Sequence, residues 1–157
     1  IQSCEAVISV LNISRTSDFP WAKLRTPETY LSDVMGQLIP LAEEQQIKQL
    51  VLCSARGVAE TMDDIPGWFR FFIQNSNIGI AYRDHERQEK LLEKSTLPWT
   101  IIRPVGLINS TKDQVIKECF DSTQKPGLVI SRKSLAKFMV ESLDRKDLVG
   151  KKVVVSA

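Results

Sequence analysis

Two apolar runs, QLVLCS at positions 49–54 and WTIIRP at positions 99–104, decide the fold of this chain. Continuous apolar runs of this length, bounded by turn residues, are typical of strands that are buried on both faces. A third run, AVISVL at positions 6–11, has the same character and stands near the start. Segments with helical spacing separate the runs. This alternation predicts an α/β fold with a parallel sheet that is covered on both faces.

The first predicted helix follows the first strand. Thr26 stands at the expected N-cap and Pro27 at the first helical position, and the helix is expected to end near Gln46 with a kink or weak turn at Gly36 and Pro40. Residues 58–66 are expected to form a loop. The remaining predicted elements are a short aromatic helix over 68–73, a polar helix over about 80–94, a short helix over 113–120, a strand over 128–130, a helix capped by Ser131 and a last strand over 152–156.

Composition narrows the class of protein. The chain has 157 residues, 43% apolar and 25% charged, which suits a single globular domain over residues 1–157. It contains no run of about 18 apolar residues, and its net charge of +2 is too small to indicate nucleic acid or an anionic membrane as a partner. Cys4, Cys53 and Cys119 are widely spaced and odd in number, so we expect no disulfide framework and a cytoplasmic location.

The arrangement of the sheet indicates where a ligand binds. In open parallel sheets, ligands bind outside the carboxyl ends of the strands. The glycine-rich fingerprint G-x-G-x-x-G and the phosphate loop G-x-x-x-x-G-K-[ST] are both absent from the sequence. The chain also has a single histidine, His85, and its cysteines show no ligand spacing, so no metal site is predicted.

Several motifs carry a resemblance to a known family. They are a strand ending V-L-N, a strand ending V-L-C-S-A, a helix with H-x-x-x-E-x-L-L, then P-W-T-I-I-R-P-V-G-L and a late I-S-R-K-S-L-A helix. In this order they resemble the second half of an atypical short-chain dehydrogenase/reductase of the NmrA-like and biliverdin reductase B (flavin reductase) groups. The resemblance implies a Rossmann-like doubly wound parallel sheet, present here as its C-terminal half to two-thirds. The glycine-rich first βαβ unit would then precede Ile1, so the domain is expected to be N-terminally incomplete.

The resemblance also implies which residues contact the cofactor, which would be NADP or NAD, with NADP favoured. These residues lie at three strand ends and on the polar helix: Leu11, Asn12, Ile13, Cys53, Ser54, Ala55, His85, Pro104, Val105 and Gly106. The structural alternatives are a strand-terminating asparagine at Asn12, a turn of small residues at 53–55, and a simple strand stop and turn at Pro104 and Gly106. Cys53 is expected to be buried rather than reactive, and Arg103 to be structural or ion-paired.

Two of these residues are candidates for catalysis, namely Ser54 and His85. In classical relatives, a serine at the end of this strand hydrogen-bonds the substrate carbonyl. The classical Tyr-x-x-x-Lys pair is missing, because Ala81 stands where the tyrosine would be and His85 where the lysine would be. Tyr82 is one residue out of place, and the alternative for His85 is an exposed residue on a charged helix.

Three functions remain open from the sequence. The first is an NAD(P)H-dependent reductase that transfers a hydride to a small acceptor of the flavin, quinone or tetrapyrrole class. The second is an NAD(P)-sensing regulatory or scaffold protein without turnover, and the third is a noncatalytic interaction fragment.

The aromatic residues Trp68, Phe69, Phe71 and Phe72 are expected to belong mainly to the core. Strand 6–11 is expected to present an edge that pairs with another segment or another copy.

Overall fold

A computed structural model describes residues 4–121 and 123–157. The elements, in chain order, are β1 (Ala6–Ser9), α1 (Tyr30–Glu44), β2 (Gln49–Cys53), a 3₁₀ helix (Ala59–Asp64), α2 (Gly67–Asn75), α3 (Ile78–Glu93), β3 (Trp99–Pro104), β4 (Gly106–Ile108), β5 (Lys117–Cys119), β6 (Val129–Ser131), α4 (Arg132–Glu141), two further 3₁₀ helices (Ser142–Asp144 and Lys146–Leu148) and β7 (Lys151–Ser156).

The main sheet confirms the predicted fold class. Within the described residues it has five strands in the order β1-β2-β3-β7-β5. The first four strands in that order run parallel, and β5 runs antiparallel to β7. A separate parallel pair joins β4 to β6. The three apolar runs of the sequence therefore lie side by side and point the same way, which brings their carboxyl ends to one edge of the sheet.

Both faces of the sheet are buried, which explains the continuous apolar runs. Leu50, Leu52 and Ile101 pack with α1 and α3 on one face. Val51 and Ile102 pack with α4 on the opposite face. Neighbouring residues of one strand thus enter two different cores, which is why the positions in the middle of these strands are apolar on both faces.

Strand β1 is shorter than predicted. The apolar run continues to Leu11, but the pairing with β2 stops at Ser9, which is opposite Leu52. Val10 is 66% exposed, because the chain leaves the sheet at this point. In the described part of the chain, β1 pairs with β2 alone and forms one edge of the sheet.

Helix α1 begins later than the local pattern predicts. The expected N-cap at Thr26 is wrong, since the helix starts at Tyr30 and has no N-cap hydrogen bond from its own side chains. Instead, Asp84 of α3 accepts a hydrogen bond from the Leu31 amide at 2.7 Å and another from the Ser32 hydroxyl. A carboxylate from a distant element therefore caps this helix. The helix continues without a break through Gly36 and Pro40.

The predicted helix over 113–120 is wrong. Residues Lys117–Cys119 form β5, with Cys119 buried opposite Val154 of β7. Hydrogen bonding to β7 outweighs the local helical spacing. The segment 58–66 also holds a 3₁₀ helix, Ala59–Asp64, where a loop was expected.

The other predicted helices are confirmed, but the expectation that the aromatic residues over 68–72 belong mainly to the core is wrong, since Trp68 and Phe71 are exposed and Phe69 and Phe72 are only half-buried. The aromatic helix is α2, the polar helix is α3, and the Ser131 hydroxyl caps α4 by accepting a hydrogen bond from the Ser134 amide at 3.0 Å. Within the described residues, no helix combines the length and the apolar character that crossing a bilayer requires.

Candidate functional site

A cavity of about 400 Å³ lies at the carboxyl ends of β1, β2 and β3. Nine of the ten predicted contact residues line it: Leu11, Asn12, Cys53, Ser54, Ala55, His85, Pro104, Val105 and Gly106. The tenth, Ile13, is buried outside the lining, and its amide donates to the Asn12 side chain at 2.8 Å. The structure thus brings together residues that are far apart in the sequence.

Backbone hydrogen bonds extend beyond the ends of the strands and fix the cavity wall. The Ser54 amide donates to the Ile102 carbonyl at 2.8 Å, and the Arg56 amide donates to the Pro104 carbonyl at 3.0 Å. The chain then turns at Gly57, which has a φ of +101°. A Cβ atom at Gly57 would lie 3.0 Å from the Tyr82 ring, so the turn needs both the positive φ and the missing side chain.

Ser54 has an unusual environment. Ser54 is only 5% exposed, and its hydroxyl has no hydrogen-bond partner among the described residues. A buried hydroxyl without a partner costs free energy, because water that solvated it in the unfolded chain has not been replaced. The wall of the cavity therefore carries a donor and acceptor that a bound polar group could satisfy.

His85 is buried beside the same cavity. Burial lowers its pKa from the ordinary value to about 4, and the nearby charge of Asp84 opposes this only in part. The side-chain nitrogen of Gln88 lies 2.7 Å from His85 Nδ1. With the amide donating to Nδ1, the neutral ring carries its proton on Nε2, and His85 offers one N–H donor rather than a positive charge.

Two buried contacts fix helix α3 and thereby the position of His85. Asp84 binds the amino terminus of α1, as described above. Glu89, one turn after His85, accepts hydrogen bonds from Arg103 Nε at 3.1 Å and Arg103 Nη2 at 2.6 Å. This pair confirms that Arg103 is ion-paired, and it joins α3 to the end of β3.

Other residues line the cavity although sequence reasoning did not select them for it: Val10, Arg56, Phe69, Tyr82, Leu107, Arg132, Leu135, Ala136 and Met139. Tyr82 could have been found, because it precedes His85 by three residues and so shares its helix face. The cavity residues from α4 could not have been predicted from the sequence, since only the tertiary fold brings that helix to the strand ends.

Two further titratable groups at the cavity are held neutral. Burial raises the pKa of the Tyr82 phenol to about 12 and that of the Cys53 thiol to about 11. Cys53 is therefore a poor nucleophile at neutral pH, as the sequence suggested. In the described part of the chain, no three His, Cys, Asp or Glu side chains come together in a way that could hold a metal ion.

A second cavity, of about 660 Å³, adjoins the first, since Arg56 lines both. Its walls come from the segment 56–66, from β3, β5 and β7, and from the stretch between β5 and β6. Apolar side chains such as Ile65, Phe120 and Leu128 alternate with charged ones such as Arg103 and Lys152. This cavity could not be predicted from the sequence, because its walls meet only through the pairing of β5 with β7.

Comparison with known proteins agrees with this geometry. A family model described as NAD(P)H-binding matches residues 1–146. No curated protein matches the chain by sequence.

Several solved structures share the fold. One is a short-chain dehydrogenase/reductase from Veillonella parvula in complex with NADP, at 16% identity over 80% of this chain and 58% of that chain, with a TM-score of 0.68. Another is ChuY from Escherichia coli O157:H7, described as an anaerobilin reductase, at 18% identity over 96% of this chain and 63% of that one, with a TM-score of 0.73. The oxidoreductase YlbE from Lactococcus lactis is 18% identical over 97% and 61%, with a TM-score of 0.68.

The chain therefore spans about three fifths of the length of the structures it resembles. At these identities the likeness shows the fold alone. The family match covers most of the chain, and the fold and the cavity at the strand ends agree with it. The chain belongs to the NAD(P)H-binding family, with a Rossmann-like α/β fold.

Proposed function

We propose that this protein is an NAD(P)H-dependent oxidoreductase of the atypical short-chain type, which passes a hydride to a small acceptor of the flavin, quinone or tetrapyrrole class. The observation that carries the proposal is the smaller cavity, at the carboxyl ends of three parallel strands, which is lined by both Ser54 and the neutral His85 ring; the Ser54 hydroxyl has no partner among the described residues. That edge of the sheet is where dinucleotides bind in folds of this kind.

The residues of the cavity fit a nicotinamide group. A bound reduced nicotinamide supplies the hydride. The Ser54 hydroxyl can pair with its polar substituent, which would relieve the cost of the buried hydroxyl. The backbone of Pro104, Val105 and Gly106 borders the same space, and Leu11 and Asn12 border it from the β1 side. NADP is proposed over NAD, with support from the NADP complex of the Veillonella structure.

His85 has a positioning role in this proposal. As a neutral ring with its proton on Nε2, it donates a hydrogen bond without placing a charge beside the cofactor. The chain lacks a tyrosine at the classical position, Ala81, and burial keeps the phenol of Tyr82 neutral. The acceptor is therefore proposed to take its proton from water. Excluding bulk water from the reacting atoms and orienting the two reactants are then the main contributions of the protein.

The larger cavity is proposed to hold the acceptor. It adjoins the nicotinamide position through Arg56, and its volume and apolar walls suit a ring system. The description of ChuY as an anaerobilin reductase supports an acceptor of this size, although the likeness extends to the fold alone.

A second function is favoured by one observation. Loss of the Tyr-x-x-x-Lys pair, with Ala81 in the position of the tyrosine, suits an NAD(P)-sensing regulatory or scaffold protein of the NmrA-like kind. Such a protein would bind the dinucleotide in the same cavity and would release it unchanged.

The rest of the domain is proposed to lie outside this sequence. Strand β1 has one strand partner in the described structure, and an apolar strand with an open edge readily pairs with a further strand. We propose that another segment, bearing the glycine-rich unit, or another copy of the chain pairs there. A cytoplasmic location is proposed on the basis of the unpaired cysteines.

The test is to mix the full-length protein with NADPH and follow the absorbance of the reduced nicotinamide, with and without a flavin, a quinone or a linear tetrapyrrole. Oxidation that depends on both protein and acceptor supports the reductase. Saturable binding without oxidation supports the sensor instead, and absence of binding would reject both.

A further inference from the structure

The charged end of the larger cavity contains a buried arginine that is shared between two carboxylates. Arg103 is 1% exposed, and its guanidinium has two edges with different partners. Glu89, itself 1% exposed, takes the edge formed by Nε and Nη2. Glu60 takes the other edge, with its Oε1 2.6 Å from Nη1 and its Oε2 3.3 Å from Nη2.

The two carboxylates differ in how firmly they are held. Glu89 is enclosed between α3 and β3, whereas the Glu60 side chain is 61% exposed and belongs to the short 3₁₀ helix Ala59–Asp64. The residue before it, Ala59, has a φ of +48°, a left-handed conformation that is costly for alanine. Of the two carboxylates, Glu60 is therefore the one that can leave the guanidinium more readily, since water already reaches most of its side chain.

A count of charges shows that Glu60 is the surplus group. Arg103 is matched by Glu89, and Lys152 is matched by Glu93, whose Oε1 lies 2.8 Å from Lys152 Nζ. Glu60 adds a third carboxylate to two cations, and it also lies 3.9 Å from Lys152 Nζ. Its carboxylate thus occupies a position where two donors of a buried guanidinium and an ammonium group converge, which is a site built for an anion.

An external carboxylate could replace Glu60 there without changing the charge of the cluster. The rest of such a ligand would lie against the apolar wall of the cavity, formed by residues such as Ile65, Pro66, Phe120 and Leu128. A ligand with a carboxylate on an apolar ring system therefore fits this cavity, because the carboxylate would lie at the charged end and the ring against the apolar wall.

We propose that the larger cavity binds an apolar ring compound that bears a carboxylate, and that this carboxylate replaces Glu60 on the Nη1–Nη2 edge of Arg103. The inference rests on the proposed function, because it identifies that ligand with the acceptor. It selects acceptors that carry a carboxylate over neutral quinones.

The test measures binding to the full-length protein in the absence of any dinucleotide, by calorimetry. The probes are naphthoate and its neutral analogue naphthamide, which share size and ring system. Naphthoate is expected to bind at least about tenfold more tightly than naphthamide, because only the anion forms two parallel hydrogen bonds to Arg103 in which both partners are charged. Equal affinities, or no binding of naphthoate, would overturn the proposal.

A matched pair of variants identifies the site. Glu60→Ala removes the internal competitor and is expected to tighten naphthoate binding by about fivefold to tenfold. Asp64→Asn removes the same charge from the same cavity wall without touching Arg103, and it is expected to change the affinity less than about twofold. If both variants tighten binding equally, the effect is one of general charge and the exchange at Arg103 is rejected.

An observation on the unaltered protein guards against variants that fold poorly. The Arg103 Nη–H resonances are expected to shift on addition of naphthoate and to stay unchanged with naphthamide, because Nη1 and Nη2 donate the hydrogen bonds to Glu60. A separate NADPH titration distinguishes the two proposals. If the protein binds naphthoate more tightly than naphthamide but does not bind NADPH, the proposed function alone is rejected. If it binds NADPH but binds the two probes equally, the inference about the acceptor alone is rejected.

Discussion

The two cavities are each bordered by a buried basic side chain, and the protein treats the two charges in opposite ways. His85, at the smaller cavity, has no carboxylate bonded to its ring, and burial lowers its pKa to about 4. Burial also acts to lower the pKa of Arg103, at the larger cavity, but the hydrogen bonds that Arg103 donates to Glu89 and Glu60 outweigh burial and hold this pKa above its ordinary value.

This difference indicates what each cavity can bind. A neutral imidazole and an unpartnered hydroxyl suit a polar but uncharged ring, and they suit the nicotinamide end of a dinucleotide. A guanidinium that stays charged suits an anion. The same helix, α3, supplies both His85 and Glu89, so one rigid element sets the electrostatics of both cavities.

The largest loss of stability is expected when the buried ion pair between Arg103 and Glu89 is broken. Glu89→Ala leaves the buried Arg103 guanidinium with Glu60 alone, and removal of one partner from a buried ion pair typically costs about 3–5 kcal/mol. Urea unfolding of the variant measures this loss. Glu86→Ala, which breaks a partly exposed pair with Lys90 on the same helix, should cost much less. Similar losses in the two variants would show that the burial of Arg103 carries no special cost.

The neutral side of the comparison predicts a pH dependence. Between about pH 6.5 and pH 4 the unfolded chain binds a proton at His85 and the folded chain does not. The contribution of His85 to stability is therefore complete above about pH 6.5 and is lost as the pH falls toward 4, by about 3 kcal/mol in all. His85→Asn should remove this part of the pH dependence of the free energy of unfolding. A variant whose pH profile matches that of the unaltered protein would contradict the buried, neutral histidine.

A smaller effect is expected where Asp84 anchors α3. Asp84→Asn weakens the cap on α1 by removing the charge that accepts hydrogen bonds from Leu31 and Ser32, at an expected cost of about 1–2 kcal/mol. Asp33→Asn, an exposed change in the first turn of the same helix, serves as the control. Thermal unfolding of the two variants checks the difference, and an equal shift in both would mean that the cap comes from elsewhere.

The smallest effect on stability is expected when the Ser54 hydroxyl is removed. The same change should specifically weaken the binding of NADPH. Ser54→Ala removes a buried hydroxyl that has no partner, so stability should stay the same or rise slightly. The affinity for NADPH should fall by up to about tenfold if the hydroxyl pairs with the cofactor. Ser142→Ala gives the opposite pattern, since that buried hydroxyl donates to the Met139 carbonyl at 2.7 Å and lies outside both cavities. Loss of stability in Ser54→Ala with unchanged affinity would reject its contact with the cofactor.

Much of the fold could be predicted because local pattern and tertiary structure agree along most of the chain. The runs 49–54 and 99–104 are apolar at the central positions 50–52 and 101–102, which enter the two cores, and their carboxyl ends determine the location of the smaller cavity. Where the prediction was wrong, a distant partner decided the outcome. Asp84 sets the start of α1 from more than 50 residues away, and β7 makes a strand of Lys117–Cys119.

The residues of the candidate site also fall into those that local sequence could predict and those that only the tertiary structure reveals. Residues that follow a strand directly, such as Ser54 and Val105, can be located from the sequence. Residues that reach a cavity from a packed helix or from a segment between strands, such as Arg132 and Phe120, cannot, because no local spacing records which helix covers the strand ends. For the same reason the second carboxylate on Arg103, from Glu60, became visible only in the structure.

The central claim is that the smaller cavity at the strand ends receives the nicotinamide of a dinucleotide. Its most direct test is an NMR titration of the full-length protein with NADPH, in which the backbone amides of Ser54, Val105 and Gly106 are followed. Saturable shifts centred on these amides are expected. Shifts confined to other parts of the chain, or none at all, would contradict the account.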